Sequence, residues 1–515
     1  CAGPAASAEA WTERGLLAHA LGRREEAHIA LQTATRIDPR SVRAWHGLGA
    51  VCRDLDQLPE AEAALGQALA LDNRAPALWA SLGGVLRLLG RPESAAEAYA
   101  AAKRLGPVGP EVHEAEVGVL IDCLRIDEAR DLGEALVAAV PDYVPAHTTL
   151  ANLYFEFGPP PAFPEDPAGA FRAVADARPD NADLQLGLIA FLLQSKRAAE
   201  ARERLQALRA RHDDPRLVAL EANACSLLGE REAAAALYAE ADRALGTSDV
   251  SFNNAYVRHL LACGEWRAAA ERAERTRALA PHNQETLAYL ATAWRLTGDA
   301  REDWLCGFDR LVELMPVDAP ADHADIVGFL PSLRAALEPL HQARHEPVAQ
   351  SLRGGSQTPG RLFGRPVPEI EALRQALLRT IERWLARLPE DTEHPFLQRR
   401  SPSVRFTGSW SVKLWQSGSH ANHFHSEGWM SSAFYVALPP SVSAASADGS
   451  AHAAGALQLG QPPAELGLDL PPRRVIQPRE GHLALFPSYL WHGTVPFDDA
   501  QPRITVAFDM QPRSA

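Results

Sequence analysis

The sequence predicts an all-α array of helical hairpins followed by a small antiparallel β-domain of jelly-roll type. Three observations carry that prediction. Residue types recur at a spacing of 34 through the first three hundred positions. After Ser401 the apolar residues recur every second position, the period of a half-buried strand. The alternating runs are short and separated by Pro, Gly and Asp turns. At 515 residues the chain exceeds what one core holds. The expected organisation is a repeat array over 1–298, a helical connector over 299–348 and a C-terminal domain over 349–515 whose β-core is 401–515.

The repeats come first. Trp11, Trp45 and Trp79 are each 34 apart, and each is followed by Gly15, Gly49 or Gly83, then Ala27, Ala61 or Ala95. A larger residue (Leu31, Leu65, Tyr99) and another alanine (Ala34, Ala68, Ala102) complete the unit. Small residues let two antiparallel helices approach closely, large ones fill the space between them, and Pro39 and Pro107 stop the second helix. The pattern resembles the tetratricopeptide repeat. It continues with decay to about Gly298, giving about nine units and one insertion around Gly158–Pro161. Such arrays stack into a superhelix with an extended concave face, here an expected groove for a peptide or protein.

Beyond Asp299 the repeat fades. Phe308–Met315 and Ile370–Leu388 still read as helical, and Gln350–Gly360 reads as a polar, glycine-rich loop. That loop lacks the terminal Lys-Ser/Thr of a phosphate loop. It is a surface connector, or a segment at the mouth of a site that offers Arg353 or Gln357 to substrate. Strands are expected at Trp410–Trp415, Ser432–Leu438, Ala456–Leu459, Arg474–Gln477, His482–Phe486 and Ile504–Phe508, about eight in all, which suggests two packed sheets. Ser441–Ala454 reads as a flexible surface loop.

Composition excludes several classes. A formal charge of −14 argues against nucleic acid, which needs concentrated Lys and Arg. No apolar run is long enough to span a bilayer as a helix. The six cysteines have no CxxC pair and suit reduced, buried thiols, so a cytoplasmic location is expected. Cys1 leaves a processed lipoprotein terminus open as the rival reading.

Two histidine groups carry the chemistry. The first is His420-Ala421-Asn422-His423-Phe424-His425-Ser426-Glu427, the second Trp491-His492-Gly493, and Arg503-Ile504-Thr505 follows on an expected strand. Alternate residues of a strand face one way, so His423, His425 and Glu427 share a face if the segment is extended, as do Arg503 and Thr505. Two histidines and a third ligand, with open positions opposite, are what Fe(II) needs to bind a keto acid and O2 together. An arginine beside a hydroxyl suits the distal carboxylate of 2-oxoglutarate.

The stretch from Gln350 to Met510 resembles the 2-oxoglutarate/Fe(II) oxygenases found fused to tetratricopeptide repeats in bacteria. The residues that carry the resemblance are Gln350–Thr358, Gly408–Leu414, His420-x-x-His423-x-His425-x-Glu427-Gly428-Trp429, Phe486-Pro487-Ser488-x-x-Trp491-His492-Gly493-Thr494 and Arg503–Asp509. The resemblance implies a double-stranded β-helix, iron, and 2-oxoglutarate held by Arg503. It leaves the third ligand open between two sets: His423, His425 and His492, or His425, Glu427 and His492. Either fills the position that radical halogenases of the superfamily leave empty, so oxygen insertion is expected rather than halogenation. Trp429, Tyr435, Phe486, Tyr489 and Trp491 are the expected pocket wall.

The expected function is therefore a 2-oxoglutarate- and Fe(II)-dependent dioxygenase that hydroxylates a side chain of a peptide or protein held by the repeats. Two rivals are a binding scaffold with an inactive β-domain and a three-histidine metal dioxygenase that does not use 2-oxoglutarate. Substrate identity and assembly into homo-oligomers stay open.

Overall fold

Helical hairpins fill the N-terminal three hundred residues because the small residues of each unit sit where two helices touch. In the computed structural model Ala27, Ala61 and Ala95 are fully buried. Gly49 shows how tight the contact is: a Cβ there would lie 2.7 Å from Leu65 Cγ. The model describes residues 7–159, 163, 165–343, 345, 347–348, 351–443 and 454–513. Cys1, Gln350, part of the insertion at Pro160–Pro161 and most of the Ser441–Ala454 stretch lie outside the described residues.

Eight hairpins run from the helix Ala8–Ala20 to the helix Trp266–Leu279, and Gln284–Thr297 with the six-residue helix Arg301–Cys306 forms a ninth. Ser41, Asn181, Asp249 and Asn283 cap their helices by accepting from the backbone N–H three residues on. The tryptophan position also closes the preceding turn. Trp45 Nε1 donates to Pro39 O at 2.9 Å, and Trp79 Nε1 donates to Asn73 O at 3.0 Å. His147 makes the same bond to Pro141 O at 2.9 Å. The position thus persists past the last of the three tryptophans with a different donor.

The chain forms two compact units. One holds the described residues up to Leu150 together with Pro359–Pro366; the other holds Ala151–Thr358 and everything from Val367 onward. Within the first unit, Leu362 and Phe363 are buried, and Arg365 Nη2 donates to Asp122 O at 2.8 Å. No described helix is long and apolar enough to cross a membrane. Cys52, Cys123, Cys225, Cys263 and Cys306 are free thiols, and burial pushes those of Cys52 and Cys123 up to about 11.

The second unit contains nine strands among the described residues: β1 (Glu313–Pro316), β2 (Leu352–Gln357), β3 (Val404–His423), β4 (Met430–Ala437), β5 (Leu457–Leu459), β6 (Arg474–Ile476), β7 (His482–Pro487), β8 (His492–Thr494) and β9 (Arg503–Pro512). All pairings are antiparallel, in the order β1-β7-β4-β9-β3-β8-β5-β6 with β2 added on β3. The long strand β3 makes this a barrel-like jelly roll. Its first half pairs with β9, Val404↔Pro512 through Leu414↔Arg503. Its last residues pair instead with β8, His420↔Thr494 and His423↔His492. One strand thereby belongs to both layers.

Two segments differ from expectation. Phe308–Met315 is not helical; Glu313–Pro316 is β1, recruited by the apolar edge of β7. The described residues of the expected loop, Ser351–Gly360, do not form a free loop either. Leu352–Gln357 is a strand because its backbone finds partners on β3, and a bulge at Arg353/Gly355 absorbs the glycines. Both are long-range pairings that local composition does not announce.

Candidate metal centre

Strand alternation on β9 builds one wall of a cavity of about 470 Å³. Arg503, Thr505, Ala507 and Asp509 line it, while Ile504, Val506, Phe508 and Met510 take the opposite face and are buried there. Trp410 and Val412 of β3, cross-strand partners of Ala507 and Thr505, extend that wall, and the end of β3 with β8 adds His423 and His492. The volume falls in the range of small-molecule sites.

His423, His425 and His492 converge in this cavity, with ligand-capable nitrogens within 4.8 Å of one another. Cross-strand register brings the first and last together, since His423 and His492 are direct partners. His425 lies just past the end of β3, where the chain has left the strand. In each ring Nδ1 has a fixed acceptor: Ala421 O at 2.9 Å for His423, the Asp509 carboxylate at 2.6 and 2.7 Å for His425, and Leu490 O at 2.9 Å for His492. Those acceptors place the proton on Nδ1 and leave Nε2 with a bare lone pair.

The two lone pairs at His423 Nε2 and His425 Nε2 face each other at 3.1 Å. Such an arrangement repels unless a cation lies between. A proton is a poor candidate at His423, because burial first and then the neighbouring His425 lower its pKa to about 3. His492 and His420 are likewise held well below the usual histidine range, chiefly by burial. The donor set therefore fits a divalent metal bound by neutral imidazoles.

Arg503 is buried at 3% exposure with its guanidinium over the Tyr435 ring, 5.3 Å from the centroid. Its Nε has no hydrogen-bond partner, and the interactions given for the guanidinium among the described residues are with Tyr435 and not with a carboxylate. Burial lowers its pKa from the ordinary value, opposed by Tyr435. A buried cation without a counter-charge is costly in the free protein and suits a site that receives an anion. Thr505, two residues on, is buried on the same wall.

Glu427 is placed differently. β3 ends at His423, so the expected strand face does not continue through the motif. Glu427 is exposed, its backbone oxygen accepts from Gln511 Nε2 at 2.5 Å, and it lines the cavity without joining the three-histidine cluster. Gln357 and Ser351 also line the cavity, whereas Arg353 turns back to donate to Leu352 O.

Of the aromatic residues expected around the pocket, only Phe486 lines the cavity. Trp429 stacks on Phe396 at 4.5 Å in the core, and Tyr435 supports Arg503. Tyr489 donates to Leu305 O at 2.7 Å, and Trp491 donates to Thr292 Oγ1 at 2.8 Å, so both tie the β-domain to the last repeat helices. Sequence reasoning missed Asp509. Continuing the alternation from Arg503 and Thr505 for two more steps would have put it on the cavity face.

The jelly-roll domain thus brings three imidazoles together beside a buried arginine, a donor set that could hold a metal ion. Family comparison agrees. Residues 408–509 match the model described as "Putative 2OG-Fe(II) oxygenase", and residues 8–41 and 165–224 match tetratricopeptide-repeat models. The chain thus joins tetratricopeptide repeats to a domain of that oxygenase family, which implies Fe(II) and 2-oxoglutarate as cofactors. Similar solved structures include YrrB, described as a TPR protein with an unusual peptide-binding site, at 21% identity, 35% of this chain, 90% of that chain and TM-score 0.28. A tetratricopeptide repeat protein from Parabacteroides merdae matches at 18% identity, covering 46% and 92% of the two chains with TM-score 0.34. MamA matches at 18% identity, 34% and 93%, with TM-score 0.30. No curated protein matches the chain.

Proposed function

We propose that this protein is a 2-oxoglutarate- and Fe(II)-dependent dioxygenase that hydroxylates a side chain of a peptide or protein recruited by its repeats. The observation that carries the reading is the convergence of His423, His425 and His492 in one cavity with the buried Arg503, whose Nε has no hydrogen-bond partner. The three Nε2 atoms would hold the metal, and Glu427 would stay at the rim. Arg503 would grip the distal carboxylate of 2-oxoglutarate through its planar fork, with Thr505 adding a hydroxyl.

Bound Fe(II) with 2-oxoglutarate supplies the O2 activation that inserts oxygen into an unactivated C–H bond. The chain's own residues position and shield. Backbone carbonyls and Asp509 fix the three imidazole tautomers before any ligand arrives, so metal binding needs no reorientation. Val412, Leu457 and Phe486 give the cavity an apolar lining that limits water. The exposed Ser426 and Glu427 leave an edge open toward solvent, where a substrate side chain can enter. Tetratricopeptide repeats commonly hold peptides, which supports a macromolecular substrate over a metabolite.

The all-histidine donor set favours one rival, a three-histidine dioxygenase that needs no keto acid. Arg503 favours the first reading. Anaerobic Fe(II) and 2-oxoglutarate binding, followed by succinate release with candidate peptides, separates them. Succinate formed in step with hydroxylated peptide supports the proposal; oxygenation that proceeds unchanged without 2-oxoglutarate contradicts it.

A further inference from the structure

Of the two carboxylates that line the cavity, Glu427 and Asp509, it is Asp509 that bonds one of the histidines, and it does so from behind the ring. Asp509 Oδ1 and Oδ2 are 2.6 and 2.7 Å from His425 Nδ1. The carboxylate is itself held: Ser431 Oγ donates to Asp509 Oδ1 at 2.6 Å, and Ser488 Oγ lies 2.8 Å from Ser431 Oγ. All three residues are buried, Ser431 on β4, Asp509 on β9 and Ser488 in the turn that follows β7. Ser431 and Asp509 are register partners across β4 and β9, so the sheet sets their separation. Ser488 also accepts the His425 backbone N–H through its carbonyl at 3.0 Å, which fixes the main chain of the same residue.

The turn after His425 is shaped around this assembly. A Cβ on Gly428 would lie 2.2 Å from Ser488 Oγ and 3.3 Å from Asp509 Cγ. Glycine there lets the chain pass close enough for His425 to reach the carboxylate. His423 and His492, by contrast, give their Nδ1 protons to neutral backbone carbonyls. The three imidazoles are therefore not equivalent. A carboxylate acceptor strengthens the donor on its far nitrogen more than a carbonyl does.

Building on the proposed metal site, we infer that Asp509 is a positioning residue that makes His425 the strongest donor of the three, supplying from behind the ring the negative charge that a carboxylate ligand would supply directly. Ser431 and Ser488 serve to aim Asp509. The inference explains why a site without a carboxylate ligand keeps a buried carboxylate in hydrogen-bond contact with one of its histidines.

The test uses the full chain with Co(II) as a spectroscopic probe, comparing the parent protein with Asp509→Ala, Asp509→Asn and Ser431→Ala. Co(II) affinity should fall about 10- to 100-fold in Asp509→Ala, in line with removal of an outer-shell partner. Asp509→Asn, which keeps an acceptor oxygen but no charge, should fall less, and Ser431→Ala least. At saturating Co(II) the visible ligand-field bands of Asp509→Ala should shift, a change that a loss of fold stability alone does not produce. Equal affinity and an unchanged spectrum in Asp509→Asn and Ser431→Ala would overturn the inference while leaving the metal site standing. A parent protein that binds no Co(II) would remove the metal site itself, and this inference with it. If Asp509→Ala does not fold, the Asn and Ser431 variants carry the comparison.

Discussion

The repeats and the β-domain store their information differently. Each hairpin is defined by residues at fixed short offsets, such as Gly49 against Leu65 or Trp45 reaching Pro39. The proposed metal centre is assembled from residues far apart in the chain: β3 brings His423 opposite His492, and β9 brings Asp509 behind His425. Damage should therefore stay local in the repeats and be decisive in the barrel.

Loss of a ligand gives the largest contrast. His492→Ala or His423→Ala should abolish Fe(II) binding and turnover while leaving the helical far-UV circular dichroism in place. Metal titration with paired spectra checks both halves, and a variant that still binds Fe(II) like the parent would show that the centre lies elsewhere.

Arg503 comes next. Arg503→Lys keeps the charge but loses the fork, so 2-oxoglutarate affinity should fall about 10- to 100-fold, the equivalent of about 1.5–3 kcal/mol for hydrogen bonds to a charged group. Thr505→Val should weaken it about tenfold or less. Fe(II) affinity should not move in either, and a matching loss of metal would mean the arginine supports the centre rather than the keto acid.

What the sequence made legible follows the same division. The period of 34 exposes the hairpins because every unit repeats the contact. His423, His425, His492, Arg503 and Thr505 were readable as residue types in a given order. Their partners were less so. Asp509 shows only in the alternation of β9 carried past Thr505, β1 and β2 owe their strands to distant edges, and Glu427 left the expected face because β3 stops at His423. Register and strand ends are tertiary outcomes, and a one-residue shift would exchange every face.

Acid should weaken the barrel through a buried histidine that bridges two strands. His341 joins β2 to β3 by bonding Ser356 Oγ at 2.9 Å and Ser411 Oγ at 3.0 Å, and burial lowers its pKa to about 4. The unfolded chain takes up that proton near the ordinary histidine value of 6.5 while the folded chain resists it. The contribution is thus complete above 6.5 and is lost as pH falls toward 4, by about 1–3 kcal/mol. Tm of the metal-free protein measured across this window should drop, and His341→Gln should lessen the drop by its own share, the remainder belonging to the likewise lowered His420, His423 and His492. A Tm insensitive to pH there would contradict the neutral, buried assignment.

The smallest functional effect belongs to the repeats. Gly49→Ala forces a Cβ to 2.7 Å from Leu65 Cγ, and overpacking of this kind costs about 1–3 kcal/mol. Tm should fall while Fe(II) and 2-oxoglutarate affinities stay at parent values, because each repeat interacts mainly with its neighbours. A large change in cofactor affinity would show that the two regions are coupled more closely than their construction suggests.

The most direct measurement is anomalous diffraction at the iron edge from crystals of the full chain soaked anaerobically with Fe(II) and 2-oxoglutarate. The account predicts one strong peak within bonding distance of Nε2 of His423, His425 and His492, with keto-acid density reaching Arg503. A peak coordinated by Glu427 in place of His423, or no peak in the cavity at all, would contradict it.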